Sequence, residues 1–409
     1  MTRTFPLFLC AILLVFSQFA RADLQAAQDA YRNGNYPAAL KEFKQLAFGG
    51  DASAQFTLGM MYAKGRGVPQ DYSEAISWYR LAAGQGEVSS QVNLGVIYAK
   101  GLGVPQDYKE AVSWYRKAAD QGDAVAQFNL GVMYVSGQGV ARDYAQAVSW
   151  YRKAAEQGDA LAQYNLAEKY SVGQGVAQDH RDAVIWYRKA AEQGNVAAQY
   201  RLGVALASGQ GVAQDYAQAV SWYRKAAEQG NEAAQYNLAE KYSVGQGVAQ
   251  DHKEAVSWYR KVAEQGNAAA QYKLAEKYFV GHGVAQDHRE AVSWYRKAAD
   301  QGDAAAQHKL GLAYMNGQGV PQNYKQAAVW YLMAAEQGLG SAQNNLGVLN
   351  YRGLGVPPNL VLAYKWLTLA MEAGNADAAG NREVAEAYMT SAQMRKARAM
   401  VQAWQGKHK

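Results

Sequence analysis

Along most of this chain the apolar positions fall three and four residues apart, and the whole pattern returns every 36 residues. In the block from Asp51 to Gly86, Ala54, Leu58 and Tyr62 lie at i, i+4 and i+8, the stripe of an amphipathic helix. Gly59, beside Leu58, leaves room for a second helix to approach closely. Asp51 is placed to cap the first helix. Gly65-Arg66-Gly67-Val68 ends it, since glycine accepts the left-handed backbone of helix termini and tight turns. Asp71-Tyr72-Ser73-Glu74 reads as a capping box for a second helix. Along that helix Ala75, Trp78, Tyr79, Ala82 and Ala83 form a broad apolar stripe, and Gly86 closes the unit.

Eight further units keep this plan through Gly374. The tryptophans Trp78, Trp114, Trp150, Trp186, Trp222, Trp258, Trp294, Trp330 and Trp366 mark the interval without an insertion or deletion, and each is read as a packing element of its second helix rather than a ligand contact. Leu58, Gln55 and the Gly-x-Gly-Val turn also recur in all nine units. A fixed period in this range with two helices per unit and no alternating strand pattern predicts an all-α solenoid, in which each unit buries its apolar face on its neighbours.

The motifs A-Q-x-x-L-G-x-x-Y over 54–62, G-x-G-V over 65–68 and D-Y-x-x-A-x-x-W-Y-x-x-A-A over 71–83 resemble the Sel-one-like repeat, a relative of the tetratricopeptide repeat. The resemblance covers residues 51–374. It implies a right-handed superhelical solenoid of helix-turn-helix repeats, used as a scaffold or binding surface in bacterial periplasmic and host-facing proteins. Residues 23–50 resemble a plainer tetratricopeptide-like unit serving as the N-terminal cap. Residues 375–409 read as a C-terminal helical cap, one helix to about Tyr388 and another from about Thr390, with a polar and basic outer face.

The first 22 residues follow a different pattern. Arg3, a short apolar run from Phe5 to Phe16, and Ala20-Arg21-Ala22 make a cleavable secretory signal peptide ending before Asp23. The run is too short for the roughly 20 residues of a spanning helix, so no stable membrane anchor is expected after cleavage. Cys10, the only cysteine, lies inside that run. The mature chain therefore has no disulfide, thiol nucleophile or thiolate metal site. The formal net charge is +6 and the pI about 9.0, but the charges alternate in sign along the repeats, which does not suit nucleic acid. The predicted destination is the periplasm or the outside of the cell, and the chain is expected to be a monomer.

No residue pattern supplies an enzyme. Gly-x-Gly-Val lacks the third glycine of a dinucleotide loop and the Gly-Lys-Ser/Thr of a P-loop. Serines before the tryptophans, such as Ser77 and Ser113, have no accompanying nucleophile motif. His180, His252 and His288 take the place of Tyr72 in their units, too far apart for shared ligation if stacked helices are ~8–10 Å apart. His282, His308 and His408 read as isolated. No catalytic residue, cofactor site or metal site is assigned. Some relatives are described as acting on β-lactams; these carry cysteine pairs in their repeats, which this chain lacks, so a β-lactam or cell-wall hydrolase is the less favoured alternative.

The candidate site is a surface. Matching to tetratricopeptide solenoids puts Phe56, Met60, Ala63 and Lys64 on the concave face. The Phe56 position becomes Phe128, Tyr164, Tyr200, Tyr236 and Tyr272 in later units, with Val92 interrupting, and the Met60 position becomes Glu168, Glu240 and Glu276. Aromatics beside carboxylates suit a peptide or protein partner with basic residues; the alternative is that these aromatics pack between neighbouring repeats. The segments 165–170 and 237–242 are identical and 72 residues apart, either a duplicated pair of units presenting similar surfaces to an elongated partner or copying without consequence. A non-enzymatic interaction scaffold is the leading expectation, with a secreted host-interaction factor as its alternative.

Overall fold

The computed structural model describes residues 23–408; the predicted signal peptide lies outside them. The described residues form two compact units, 23–205 with 209–213 and 206–208 with 214–408. Both are built from consecutive helix pairs, and no strand occurs among the described residues.

Repeat one shows why the sequence folds this way. Its helices span Ala52–Lys64 and Tyr72–Gly84, 13 residues each. Asp51 accepts a hydrogen bond from the Ala54 N–H at 2.7 Å, satisfying a donor that the first turn leaves open. Gly65 ends the helix at φ 66°, the left-handed conformation the turn requires. Asp71 accepts from the N–H groups of Ser73 and Glu74, but the reciprocal half of a capping box is absent: the Asp71 N–H donates to the Tyr62 carbonyl at 3.0 Å instead. That bond ties the end of the turn back to the first helix. A complete capping box does form at Thr390 and Gln393.

Within each unit the core is a column of small and medium side chains. Leu58, Leu94 and Leu130 are fully buried in the first, Leu238, Leu274 and Leu310 in the second. A Cβ on Gly59 would stand 2.8 Å from the Tyr79 ring, so the tyrosine packs directly on this glycine. In the turns, a Cβ on Gly103 would meet Tyr72 Cβ at 2.4 Å. The second glycine of that turn seats one repeat on the start of the preceding repeat's second helix.

The recurring glutamine bonds the preceding repeat through its N–H and the end of its own repeat's second helix through its oxygen. Gln91 Nε2 donates to the Ala83 carbonyl at 3.2 Å in the previous repeat, and its Oε1 accepts from Gln121 at 2.9 Å. Gln127, Gln163, Gln271 and Gln307 make the same two bonds.

Five of the repeat tryptophans, Trp150, Trp258, Trp294, Trp330 and Trp366, are buried as their spacing predicts; the other four are less so. Trp78, Trp114, Trp186 and Trp222 are half-buried, whereas the tyrosine after each tryptophan sits deeper, with Tyr151, Tyr259, Tyr295 and Tyr331 almost wholly enclosed. A lysine three residues on covers the outer face of the indole, as with Lys117 over Trp114 at 3.9 Å and Lys297 over Trp294 at 3.7 Å. The lysine stem can lie along apolar surface while its ammonium stays in water.

At the ends, a helix over 23–32 and the helix Tyr36–Phe48 precede the first repeat, with Asn35 as the cap of the latter. After the ninth repeat come helices Ala378–Glu386 and Ser391–Lys407. The last buries Ala397 and Val401 while Arg395, Lys396, Arg398 and Lys407 are exposed.

Candidate interaction surface

The predicted surface residues all lie at the edge of the core: Phe56, Met60, Phe128, Tyr164, Glu168, Tyr200, Tyr236, Glu240, Tyr272 and Glu276 are half-buried. The half that is buried has a definite partner. Phe56 rests on Tyr79 with ring centroids 6.0 Å apart, Phe128 on Tyr151 at 5.8 Å, Tyr164 on Tyr187 at 6.1 Å, Tyr236 on Tyr259 at 5.8 Å and Tyr272 on Tyr295 at 5.7 Å. Each of these pairs joins the two helices of one repeat, not two neighbouring repeats. The aromatics are fixed at one edge and open at the other.

In the first unit Phe56, Met60, Ala63 and Lys64 share a cleft of about 500 Å³ with Val92, Val96 and Leu102. The acidic positions do more internal work than the sequence suggested. Tyr187 O–H donates to Glu168, Tyr259 O–H to Glu240, and Tyr272 O–H to Glu276 at 2.9 Å. Burial, followed by the nearby charges of Glu240 and Glu276, pushes the Tyr236 phenol up to about 12.

The three histidines read as isolated each have a partner, His408 stacking on Trp404 with ring centroids 4.0 Å apart. His282, in the turn of repeat seven, stacks on His252 with centroids 5.0 Å apart and planes 9° from parallel. Burial, then Lys277 and His282, lower the His252 pKa. Stacking of repeats brings together a turn and a helix start thirty residues apart, which spacing within one repeat does not reveal. His308 occupies the Phe56 position of repeat eight. It lies on Tyr331 at 5.7 Å and accepts from Asn345 Nδ2 at 3.0 Å. Burial first, and then Lys309, lower its pKa to about 4. Among the described residues no three His, Cys, Asp or Glu side chains gather as a metal site, and no helix is long and apolar enough to cross a membrane.

The Sel1 repeat model matches nine consecutive blocks, residues 52–87, 88–123, 124–159, 160–195, 196–231, 232–267, 268–303, 304–339 and 340–375. Among solved structures, the chain is similar to a protective antigen of uropathogenic Escherichia coli displaying an SLR fold, with 38% identity, 89% of this chain and 94% of that chain covered, and a TM-score of 0.54. It is also similar to a Sel1 repeat protein from Oxalobacter formigenes, with 35% identity, 75% and 88% covered, and a TM-score of 0.58. No curated protein matches it significantly.

Proposed function

The chain belongs to the Sel1 repeat family, and on that premise we propose that it is a non-enzymatic scaffold, periplasmic or secreted, that holds a peptide or protein partner along its first helices. The observation that carries this reading is the row of aromatics, each anchored on a buried tyrosine and open at its other edge. Rigid aromatic side chains lose little conformational freedom on binding and dominate interface energetics. Carboxylates one helical turn further on favour a partner with basic residues. The leader pattern of residues 1–22 supports export.

The test pairs Tyr200→Ala with Tyr236→Ala. Capture of partners from the producing cell's envelope fraction should fall at least about tenfold, with helicity unchanged, if the tyrosines act as hot spots. Unchanged capture would remove the first helices as the binding face. Mass spectrometry of the exported protein should find Asp23 at its start, and light scattering should find a monomer.

A second reading, a secreted factor that engages host proteins, is favoured by the likeness to the uropathogenic E. coli protective antigen. Fractionation separates the two: the first predicts retention in the periplasm, the second release into the medium.

A further inference from the structure

One acidic arrangement occurs twice, 72 residues apart, once in each compact unit. In the first, Tyr187 O–H donates to Glu168 Oε1. Arg201, from the first helix of the next repeat, closes on the same carboxylate, with Nε 3.0 Å from Oε1 and Nη2 3.1 Å from Oε2. Two parallel bonds of this kind are the strong form of arginine–carboxylate recognition. The cavity beside them, walled by Arg201, Tyr187 and Ser171, is about 90 Å³.

In the second unit Tyr259 O–H donates to Glu240 Oε1 in the same way. The residue at the place of Arg201 is Lys273, and its ammonium turns to Glu276 of its own helix, 3.6 Å away. Lys277 Nζ donates to Ser243 Oγ at 2.6 Å. Among the described residues no cation lies within ion-pair distance of Glu240. The cavity that Glu240, Tyr259 and Ser243 line with Lys273, Glu276 and His282 is about 270 Å³, three times the size of its counterpart.

We propose that the Glu240 cavity receives an arginine side chain of the partner, whose guanidinium makes with Glu240 the fork that Arg201 makes internally with Glu168. The inference rests on the reading that a peptide or protein lies along the first helices, and it names what that partner must carry. Arginine is favoured over lysine because a planar fork matches both carboxylate oxygens, while an ammonium is a point charge that stays more strongly hydrated. Glu276 offsets the charge of Lys273, and Lys277 is held on Ser243 Oγ, so neither ammonium is paired with Glu240. Lys273 is 37% exposed, so it can move aside.

The probe is a fluorescein-labelled peptide of alternating alanine and arginine, measured by anisotropy on the purified chain at about 0.15 M salt, where charges beyond roughly 8 Å are screened. Counterparts with lysine and citrulline serve as controls. The arginine peptide should bind at least about fivefold more tightly than the lysine peptide, and the citrulline peptide more weakly than both. Glu240→Gln should weaken arginine-peptide binding about tenfold, and Glu168→Gln less than about twofold. Lys273→Arg should also weaken it about tenfold, because the new side chain fills the cavity from within, while raising the melting temperature. That last variant keeps the question open to decision if Glu240→Gln does not fold. Absent binding, equal binding of the arginine and lysine peptides, or indifference to both cavity variants overturns the inference. If partner capture then still depends on Tyr200 and Tyr236, only the Glu240 assignment has failed; if it does not, the scaffold reading fails with it.

Discussion

Gln337 Nε2 donates to Gln307 Oε1 at 2.8 Å, and one repeat later the equivalent acceptor, Gln343 Oε1, is buried with no partner. The reason is a single residue: where the earlier repeats end their second helix in glutamine, the ninth has Ala373. Ala373 is exposed, so a longer side chain has room there.

Ala373→Gln is expected to stabilise the chain by about 0.5–1.5 kcal/mol, the net worth of one hydrogen bond made to a group that is otherwise buried unsatisfied. Denaturant unfolding measures it. No rise in the midpoint would mean that the ninth repeat satisfies Gln343 in another way.

Tyr151 and Trp222 should rank opposite to their apparent prominence in the sequence. Tyr151 is 2% exposed, and Tyr151→Ala should cost about 3–5 kcal/mol. Trp222 is half-buried under Lys225, and Trp222→Ala should cost about 1–2 kcal/mol from its smaller buried area. Urea melts of the two variants under identical conditions decide the order, and a larger loss at Trp222 would contradict it.

Gly131→Ala places a Cβ 2.6 Å from the Tyr151 ring, and overpacking of this kind typically costs about 1–3 kcal/mol. Repeats four and six show one accommodation, with Ala167 followed by Glu168 and Ala239 followed by Glu240, each glutamate accepting from the tyrosine hydroxyl of the second helix. Adding Val132→Glu to Gly131→Ala should therefore recover part of the loss. A double-mutant cycle with no coupling between the two would refute this pairing.

Acidification should loosen the protein through His308. Its pKa is lowered to about 4 in the folded chain, against an ordinary 6.5. Between these values the unfolded chain binds more protons, so this contribution to stability is complete above about 6.5 and is lost as pH falls toward 4. His308→Phe, which restores the aromatic type of repeats one and three, should flatten that part of the profile. Melting temperatures of both proteins from pH 7 to pH 4 test it; parallel curves would show that His308 contributes nothing.

The helix pairs, the turn glycines and the Asp51-type caps could be read from the chain because each is a local arrangement, set by spacing of three to eight residues. The glutamine at position 55 and its equivalents stood out by recurrence alone. Their purpose was hidden because the partners lie eight residues back, in the preceding repeat, and thirty ahead, at the end of the repeat's own second helix, contacts that exist only once the helices pack. The depth of Tyr79 relative to Trp78 was hidden for a similar reason: adjacent residues both border the apolar stripe, and the neighbouring helix decides which is enclosed. At the candidate surface the aromatic and acidic positions were visible as a pattern. The tyrosine hydroxyls that engage Glu168 and Glu240 come from the second helix about nineteen residues on, so the distinction between a carboxylate already held by Arg201 and one without a cation appears only in three dimensions.

In every repeat the recurring glutamine plugs the same socket, a carbonyl near the end of the preceding helix. A gene can therefore lengthen or shorten this array by copying or deleting whole blocks of 36 residues, because each new junction reforms this bond. An insertion that moves this glutamine out of register with that carbonyl strands a buried amide. Selection on partner size can thus act on the number of blocks while leaving the chemistry of each junction untouched.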